Sequence, residues 1–418
     1  MTTDLPTPVP ADLFAHTREF DLDAFGVTVR LRVAGSGLNE VADHLLHQWA
    51  RCNIREVTAE TAPDGPVLLV ALDEDEALHE RVWELQGVAG ETLEIVSNLL
   101  VSAVTFRAID HLRGQLLMVH AAGLADPTTG RTAVLVGDSG TGKSTACRVL
   151  AQHLGYVTDE TVAITTSAEV LHYPKPISLF PEGRTWGKNQ HSPDDLGLQP
   201  APESLSLGPI LLLQRSESAS STPEVLDLPI GEAIARLGEH ASYVGELEAP
   251  LHHLARTIRA ATATLHVTYR DAEDLLPVLT ELLAIDESPA LPEPLPQPPL
   301  SDLDLDVLPY GLKFGRLPIL DVYSDDEGGA AMTLDGRVIA LSAMAARTMT
   351  LVGEGFTTVA EVAAALSAEF GAPPERELAD GEVWSSEEVA LRHTDDIVAD
   401  LIANGLVSHL DESANSTH

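Results

Sequence analysis

The alternation of apolar and polar positions divides the chain before any motif is sought. Val27–Val33 (VTVRLRV) alternates with period two, which predicts a half-buried strand. Leu38–Arg51 changes to helical spacing through Val41, Leu45 and Trp49, and Pro66–Leu72 is a short apolar run suited to a buried strand. Glu91–Leu112 reads as a long apolar-periodic helix. Together these make residues 19–112 a small α+β unit, behind a polar, proline-containing arm at 1–18. From 113 to 285 the signals alternate: strands at 132–136, 156–158, 162–165, 209–213 and 264–269, and helices at 143–154, 231–239, 251–260 and 271–283. That is an α/β pattern.

Residues 286–301 then hold six prolines, a stretch that propagates neither helix nor sheet and acts as a semi-rigid spacer. Beyond it, 302–412 is a compact segment followed by a tail at 413–418. Ala330–Leu341 has the pattern of a hairpin turning at Asp335-Gly336. Helical signals follow at 342–352, 358–370 and 394–404, the last stopping at Asn404-Gly405. Two strands and three helices predict a winged helix.

Composition narrows the partners. The net charge is −39, from 64 acidic and 25 basic residues. Such a field repels nucleic acid and anionic membrane, so neither is an expected partner. Residues 302–418 alone carry 22 acids against 6 bases, which disfavours a DNA-binding role for the winged segment and, with it, a transcription regulator. No apolar run has the length of a membrane span, and the first residues are too polar for a signal peptide. Two cysteines, Cys52 and Cys147, cannot build a disulfide framework, so a cytoplasmic location is expected. Lysine is scarce: Lys143, Lys175, Lys188 and Lys313 are the only four. Three of them fall between 143 and 188, which suggests chemical demands on that segment.

The densest chemistry lies in the same stretch. Gly137-Asp138-Ser139-Gly140-Thr141-Gly142-Lys143-Ser144 fills every fixed position of the phosphate-loop pattern G-x-x-x-x-G-K-[ST], with a strand before it and a helix after it. In that context backbone N–H groups and the helix N-terminus face a polyphosphate, and Thr145 follows in the first turn. Lys143 would reach the β- and γ-phosphates, and the Ser144 hydroxyl would enter the magnesium shell. Phosphoryl transfer also needs carboxylates, to hold metal and to take a hydroxyl proton. Asp159-Glu160 follows the next strand, where such acids converge on phosphates. His120 precedes the phosphate-loop strand across a short hairpin and stands either as a γ-phosphate neighbour or as a structural histidine. Lys175 and Arg184 fall on an expected loop, as candidate phosphate or substrate contacts.

With these residues in place, the chain resembles the HPr kinase/phosphorylase-like family of P-loop kinases. The resemblance is carried by Val119-His120-Ala121, by Gly137–Ser144, and by Tyr156-Val157-Thr158-Asp159-Glu160, and it covers about 116–165. It implies ATP and Mg2+ as cofactors, Asp159 as general base towards a seryl or threonyl hydroxyl, Glu160 assisting the metal with Ser144 and Asp159, and His120 orienting Asp159 or the γ-phosphate. The second acid is Glu where the family carries Asp or Glu, which sets its carboxylate farther out. The glycine-arginine-asparagine signature tied to phosphorolysis has no counterpart, so dephosphorylation is not expected and neither is HPr as substrate. The family's oligomeric habit raises a homo-oligomer, which no surface feature of the sequence carries over.

The C-terminal segment resembles PqqD-like domains, the winged-helix recognition elements of ribosomal peptide biosynthesis, through Met332–Gly336, Thr357–Glu361 and Asp396–Val407. An insert at 373–388 departs from them. The resemblances imply an α/β P-loop kinase domain with a small N-terminal α+β unit and a C-terminal winged-helix-like domain. The implied activity is phosphorylation of a Ser/Thr hydroxyl on a leader-like peptide or small protein that the C-terminal domain recruits. Two alternatives stand beside it: a kinase of a small hydroxylated metabolite, and a non-catalytic, ATP-gated peptide-binding protein.

Overall fold

The computed structural model describes residues 16–58, 62–138, 141–180, 188–285, 313–355, 357–377 and 382–409. The expected spacer at 286–301 and tail at 413–418, and nearly all of the arm at 1–18, lie outside these residues. The chain forms two compact units, 1–226 with 240–243 and 261–289, and 227–239 with 244–260 and 290–418.

In the first unit the N-terminal residues build a five-stranded sheet. Its order is Arg55–Val57, Arg18–Ala24, Val27–Ala34, Val67–Leu72 and Val88–Gly90. Arg18–Ala24 and Val27–Ala34 pair antiparallel across Phe25-Gly26, both with positive φ (53° and 76°), as a tight primed turn requires. The alternation read at 27–33 is real, but its polar positions are not all solvated. Arg30 is buried and ion-paired to Glu19 at 2.9 Å and to Asp21. The helices Leu38–Gln48 and Leu93–His111 share a core with Trp49, and that core runs on into Met118, Ala163 and Tyr173.

The larger sheet has seven strands: Gln199–Pro200, Gly155–Thr158, Ala121–Ala125, Arg131–Val136, Ser206–Arg215, Thr264–Tyr269 and Glu224–Asp227. Ala121–Ala125 is antiparallel to both its neighbours, so Gly155–Thr158 and Arg131–Val136 run parallel to each other. Their C-terminal ends therefore leave the same edge, two strand spacings or roughly 10 Å apart. The helices Lys143–Leu150 and Leu275–Leu283 pack in its core. A four-stranded sheet carries Val170–Leu171, Val162–Ile164, Leu117–Val119 and Ala241–Ser242 in that order.

The second unit holds an antiparallel meander, Ile319–Asp325, Gly328–Thr333 and Val338–Leu341. The hairpin expected at 330–341 is its second half, and Gly336 takes φ +85° in the turn. Three helices follow, Ala343–Gly353, Val359–Phe370 and Ser386–Ala403, and Phe314–Arg316 pairs with Val407–His409. The last helix starts eight residues before the expected 394, at a capping box in which Ser385 and Glu388 satisfy each other's backbone N–H groups. Within the expected insert at 373–388, Arg376–Glu377 pairs antiparallel with Val383–Trp384 just ahead of that cap.

Two helices that the periodicity assigned to the central domain, Ile230–Glu239 and Pro250–Ala260, belong to this second unit. A Cβ on Gly231 would lie 2.2 Å from the Gly329 carbonyl oxygen, so the first helix rests directly on strand backbone. Asp321 caps the second helix, accepting from Leu251 N–H at 2.9 Å. The chain thus passes between the units more than once, and the proline-rich spacer is not their sole connection. Among the described residues no helix is long and apolar enough to cross a membrane.

Candidate functional site

The phosphate loop leaves the strand Arg131–Val136 at the sheet edge. Gly142, with φ +88°, turns the chain into the helix Lys143–Leu150; an L side chain would be strained there. The Tyr269 hydroxyl donates to the Thr141 carbonyl at 3.1 Å and ties the loop to the strand Thr264–Tyr269, two places along the sheet. Lys143 folds back over the loop, donating to the Asp138 carbonyl at 3.0 Å and to that of Gly137. Burial lowers the pKa of its ammonium, and Asp138 pushes partly back. Ser139 and Gly140 lie outside the described residues.

Asp159-Glu160 leaves the same edge after Gly155–Thr158. The two acids differ in setting: the Asp159 side chain is 5% exposed and that of Glu160 is 34% exposed. Lys175 lies on both, its Nζ 2.8 Å from Asp159 Oδ1 and 3.2 Å from Glu160 Oε2. Burial alone would lower the Lys175 pKa, but the carboxylates of Asp159 and Glu160 outweigh it and the net shift is upward. The Tyr156 hydroxyl, 3.2 Å from Asp159 Oδ1 and 3.0 Å from the Lys175 carbonyl, closes the network. Its own pKa rises through burial and then the Asp159 charge.

The structure therefore sets the Lys175 ammonium against the acid pair; the sequence had proposed it as a phosphate or substrate contact. Arg184 lies outside the described residues. Cys147 is wholly buried on the loop helix itself, where burial and then Asp159 raise the thiol pKa, so it is a packing residue.

His120 sits between the strands Leu117–Val119 and Ala121–Ala125, where the chain passes from one sheet to the other. Its backbone N–H donates to the His240 carbonyl at 2.7 Å, and the next N–H, of Ala121, donates to the Glu160 carbonyl at 3.1 Å. Those two bonds hold its ring, open to the cleft, beside the acid pair. Crowding of the cleft lowers its pKa, and the Lys143 charge acts in the same direction. His240 also approaches the loop, its Nε2 3.7 Å from Asp138 Oδ1.

One cavity of about 1090 Å³ is lined by Lys143, Ser144, Thr145, His120, Asp159 and Glu160 together. A polyphosphate fits what these residues offer: the first N–H groups of a helix, a lysine resting on replaceable carbonyl partners, and a glycine where a Cβ would be strained. Magnesium typically takes one or two carboxylates with phosphate oxygens and water rather than an all-protein cage. The partly exposed Glu160 and the Ser144 hydroxyl suit that role, and among the described residues no group of three or more His, Cys, Asp or Glu side chains could hold a metal.

No family model matches the chain, and no curated protein matches it. Among solved structures it is similar to the Hpr(Ser) kinase/phosphatase from Coxiella burnetii, at 13% identity over 40% of this chain and 92% of that one, with a TM-score of 0.23. At that TM-score the likeness adds nothing to what the chain's own residues establish: a phosphate loop and an acid pair leaving one sheet edge into one cavity.

Proposed function

We propose that the chain is an ATP- and Mg2+-dependent kinase of hydroxyl acceptors. A single observation carries the reading: the phosphate loop, the acid pair and His120 open into the same cavity. Bound ATP with Mg2+ would supply the transferable phosphoryl group. Lys143 leaves its carbonyl partners for the phosphates, and Ser144 with Glu160 holds the metal. Asp159 takes the proton of the acceptor hydroxyl. Lys175 holds Asp159 ionised and in place, and His120 orients the groups around it.

The acceptor in this reading is a serine or threonine of a peptide or small protein, in ribosomal peptide biosynthesis, delivered by the C-terminal unit. A meander followed by three helices supports a peptide-capturing role, because a strand can be added at a sheet edge. Capture by a unit tethered to the same chain would raise the local acceptor concentration to roughly the millimolar range.

The test is transfer from γ-labelled ATP to peptides encoded beside the gene, with wild type, Lys143→Ala and Asp159→Asn. Label on a peptide hydroxyl, lost in both variants, is the expected result. Tight ATP binding with no transfer, unchanged by Asp159→Asn, would instead describe an ATP-gated binding protein.

A further inference from the structure

Four cationic residues line the cavity, Lys143, Arg148, Lys175 and Lys188, on a chain whose net charge is −39. Two have partners that explain them. Lys143 rests on the loop carbonyls, and Lys175 lies on Asp159 and Glu160. The other two do not. Arg148 comes four residues after Ser144, so it lies on the same face of the helix, about 6 Å farther from the phosphate loop. Its Nε is buried and has no hydrogen-bond partner among the described residues, a costly arrangement for a guanidinium unless something supplies acceptors. Lys188 holds its Nζ 5.2 Å from the centre of the Phe180 ring, and no carboxylate pairs with it among the described residues.

The helix Leu93–His111 faces the same space with Asn98 and Ser102, again four residues apart. Gln190 Nε2 donates to Asn98 Oδ1 at 2.8 Å, and Ser178 Oγ donates to Gln190 Oε1 at 2.9 Å. That series of bonds uses the acceptor of Asn98, and among the described residues nothing accepts from its amide N–H groups. Arg148, Lys188 and Asn98 therefore offer donors and no carboxylate, the setting an oxyanion needs. There is also room for it. At about 1090 Å³ the cavity lies above the roughly 300–1,000 Å³ usual for one small ligand.

We propose that Arg148, Lys188 and Asn98 form an oxyanion subsite for the acceptor, and that the acceptor is a hydroxyl compound bearing a carboxylate. The inference rests on the kinase reading and names its substrate class. The carboxylate belongs either to an acidic side chain near a peptide serine or to a small hydroxy acid. The chemistry recognised is the same, and the experiment separates the two.

The test is equilibrium titration of the full chain, saturated with a non-hydrolysable ATP analogue and magnesium. Salt is held at about 0.15 M, where repulsion from the acidic surface is screened beyond roughly 8 Å. The probes are a short serine peptide flanked by aspartates, its asparagine counterpart, and free glycerate. Wild type should bind the aspartate peptide or glycerate at least about tenfold more tightly than the asparagine peptide. Arg148→Gln should reduce that preference below about twofold and leave the ATP analogue within about twofold of wild type, while Arg148→Lys keeps part of the preference. Lys188→Gln, at an exposed side chain, gives a second reading should Arg148→Gln fail to fold.

Preference for the aspartate peptide assigns a peptide source, and preference for glycerate a small hydroxy acid. Equal binding of both peptides with no binding of glycerate overturns the proposal. So does an Arg148→Gln variant that weakens the ATP analogue as much as the acidic probe, since Arg148 would then be a nucleotide contact. In a parallel reaction of the same probes with γ-labelled ATP in place of the analogue, binding of the acidic probe without phosphate transfer sinks the kinase reading alone; equal transfer to both peptides sinks the subsite alone.

Discussion

Replacing Lys175 by methionine is the most direct test of how the acid pair is held. The substitution keeps the chain's bulk and removes the ammonium that contacts Asp159 at 2.8 Å and Glu160 at 3.2 Å. The two acids will not respond alike. Glu160, 34% exposed, can turn to water, and its loss is discounted accordingly. Asp159, 5% exposed, would keep only the Tyr156 hydroxyl at 3.2 Å. A buried carboxylate stripped of its counter-charge costs about 3–5 kcal/mol, so nearly the whole effect should come from Asp159. Replacing both partners, Lys175→Met with Asp159→Leu, removes the uncompensated charge and should recover much of the loss.

The assay is denaturant unfolding followed through Trp49, which is 1% exposed in the core shared with Tyr173, with the other three tryptophans changed to phenylalanine. The Lys175 pKa lies above its ordinary 10.5, so the ammonium's contribution is complete below that value and is lost only as pH rises through the folded one. The gap between wild type and Lys175→Met should thus stay constant from about pH 7 to 9. A single substitution costing under about 1 kcal/mol, with no recovery in the double variant, would refute the idea that Lys175 compensates a buried charge.

Other consequences follow from the same contacts. Lys143→Ala should weaken binding of an ATP analogue about 100-fold, measured by titration, because a lysine aimed at phosphates makes charge-assisted hydrogen bonds. His120 has its pKa lowered first by crowding and then by Lys143, which favours the neutral ring. Any stability it adds is present above its unfolded pKa and lost as pH falls through the lowered folded one. His120→Asn should therefore flatten the acid limb of the kcat/KM profile and lower its plateau about tenfold or more. In the second unit, Gly231→Ala would push a Cβ to 2.2 Å from the Gly329 carbonyl oxygen, and overpacking against backbone should cost about 1–3 kcal/mol. Hydrogen exchange along Gly328–Thr333 should accelerate accordingly; unchanged protection would mean that Ile230–Glu239 does not rest on that strand.

What the sequence made legible was local. The strand Thr264–Tyr269, the start of the helix at Lys143 and the turn at Asp335-Gly336 each follow from a few consecutive residues, and each was readable. The partners of buried charges were not. Arg30 reads as the outer face of an alternating strand, but Glu19 and Asp21 on the paired strand turn that face inward. Tyr156 and Lys175 are nineteen residues apart, and only the folding of the 172–176 segment against Gly155–Thr158 brings them to Asp159. The helix Ile230–Glu239 has clear periodicity, yet periodicity says that a face is buried and not against what. The early start of the last helix is different, for the capping box at Ser385 and Glu388 is itself a signal written in consecutive residues.

One compositional signal held more than it first disclosed. In a chain of 418 residues with four lysines, a lysine is a departure from the prevailing choice of arginine. Lys143, Lys175 and Lys188 all line one cavity. The reason is chemical in each case. Lys143 is a compact charge that can leave carbonyls for phosphates, which a planar guanidinium does less readily. Lys175 fits a buried gap between two carboxylates with a single ammonium, its alkyl stem packed and its head satisfied by Asp159, Glu160 and the Pro176 carbonyl at 3.3 Å. Lys188 can lean its charge over Phe180 and still swing towards an arriving oxyanion. Arginine at Lys175 is the sharpest contrast, since its wider fork would have to separate Asp159 from Glu160. Lys175→Arg, which keeps the charge, should therefore lower kcat while leaving the affinity for an ATP analogue within about twofold, because it disturbs the spacing of the acids and not the phosphate loop. Unchanged kcat in that variant would show that charge alone, and not the placement of the two carboxylates, is what Lys175 provides.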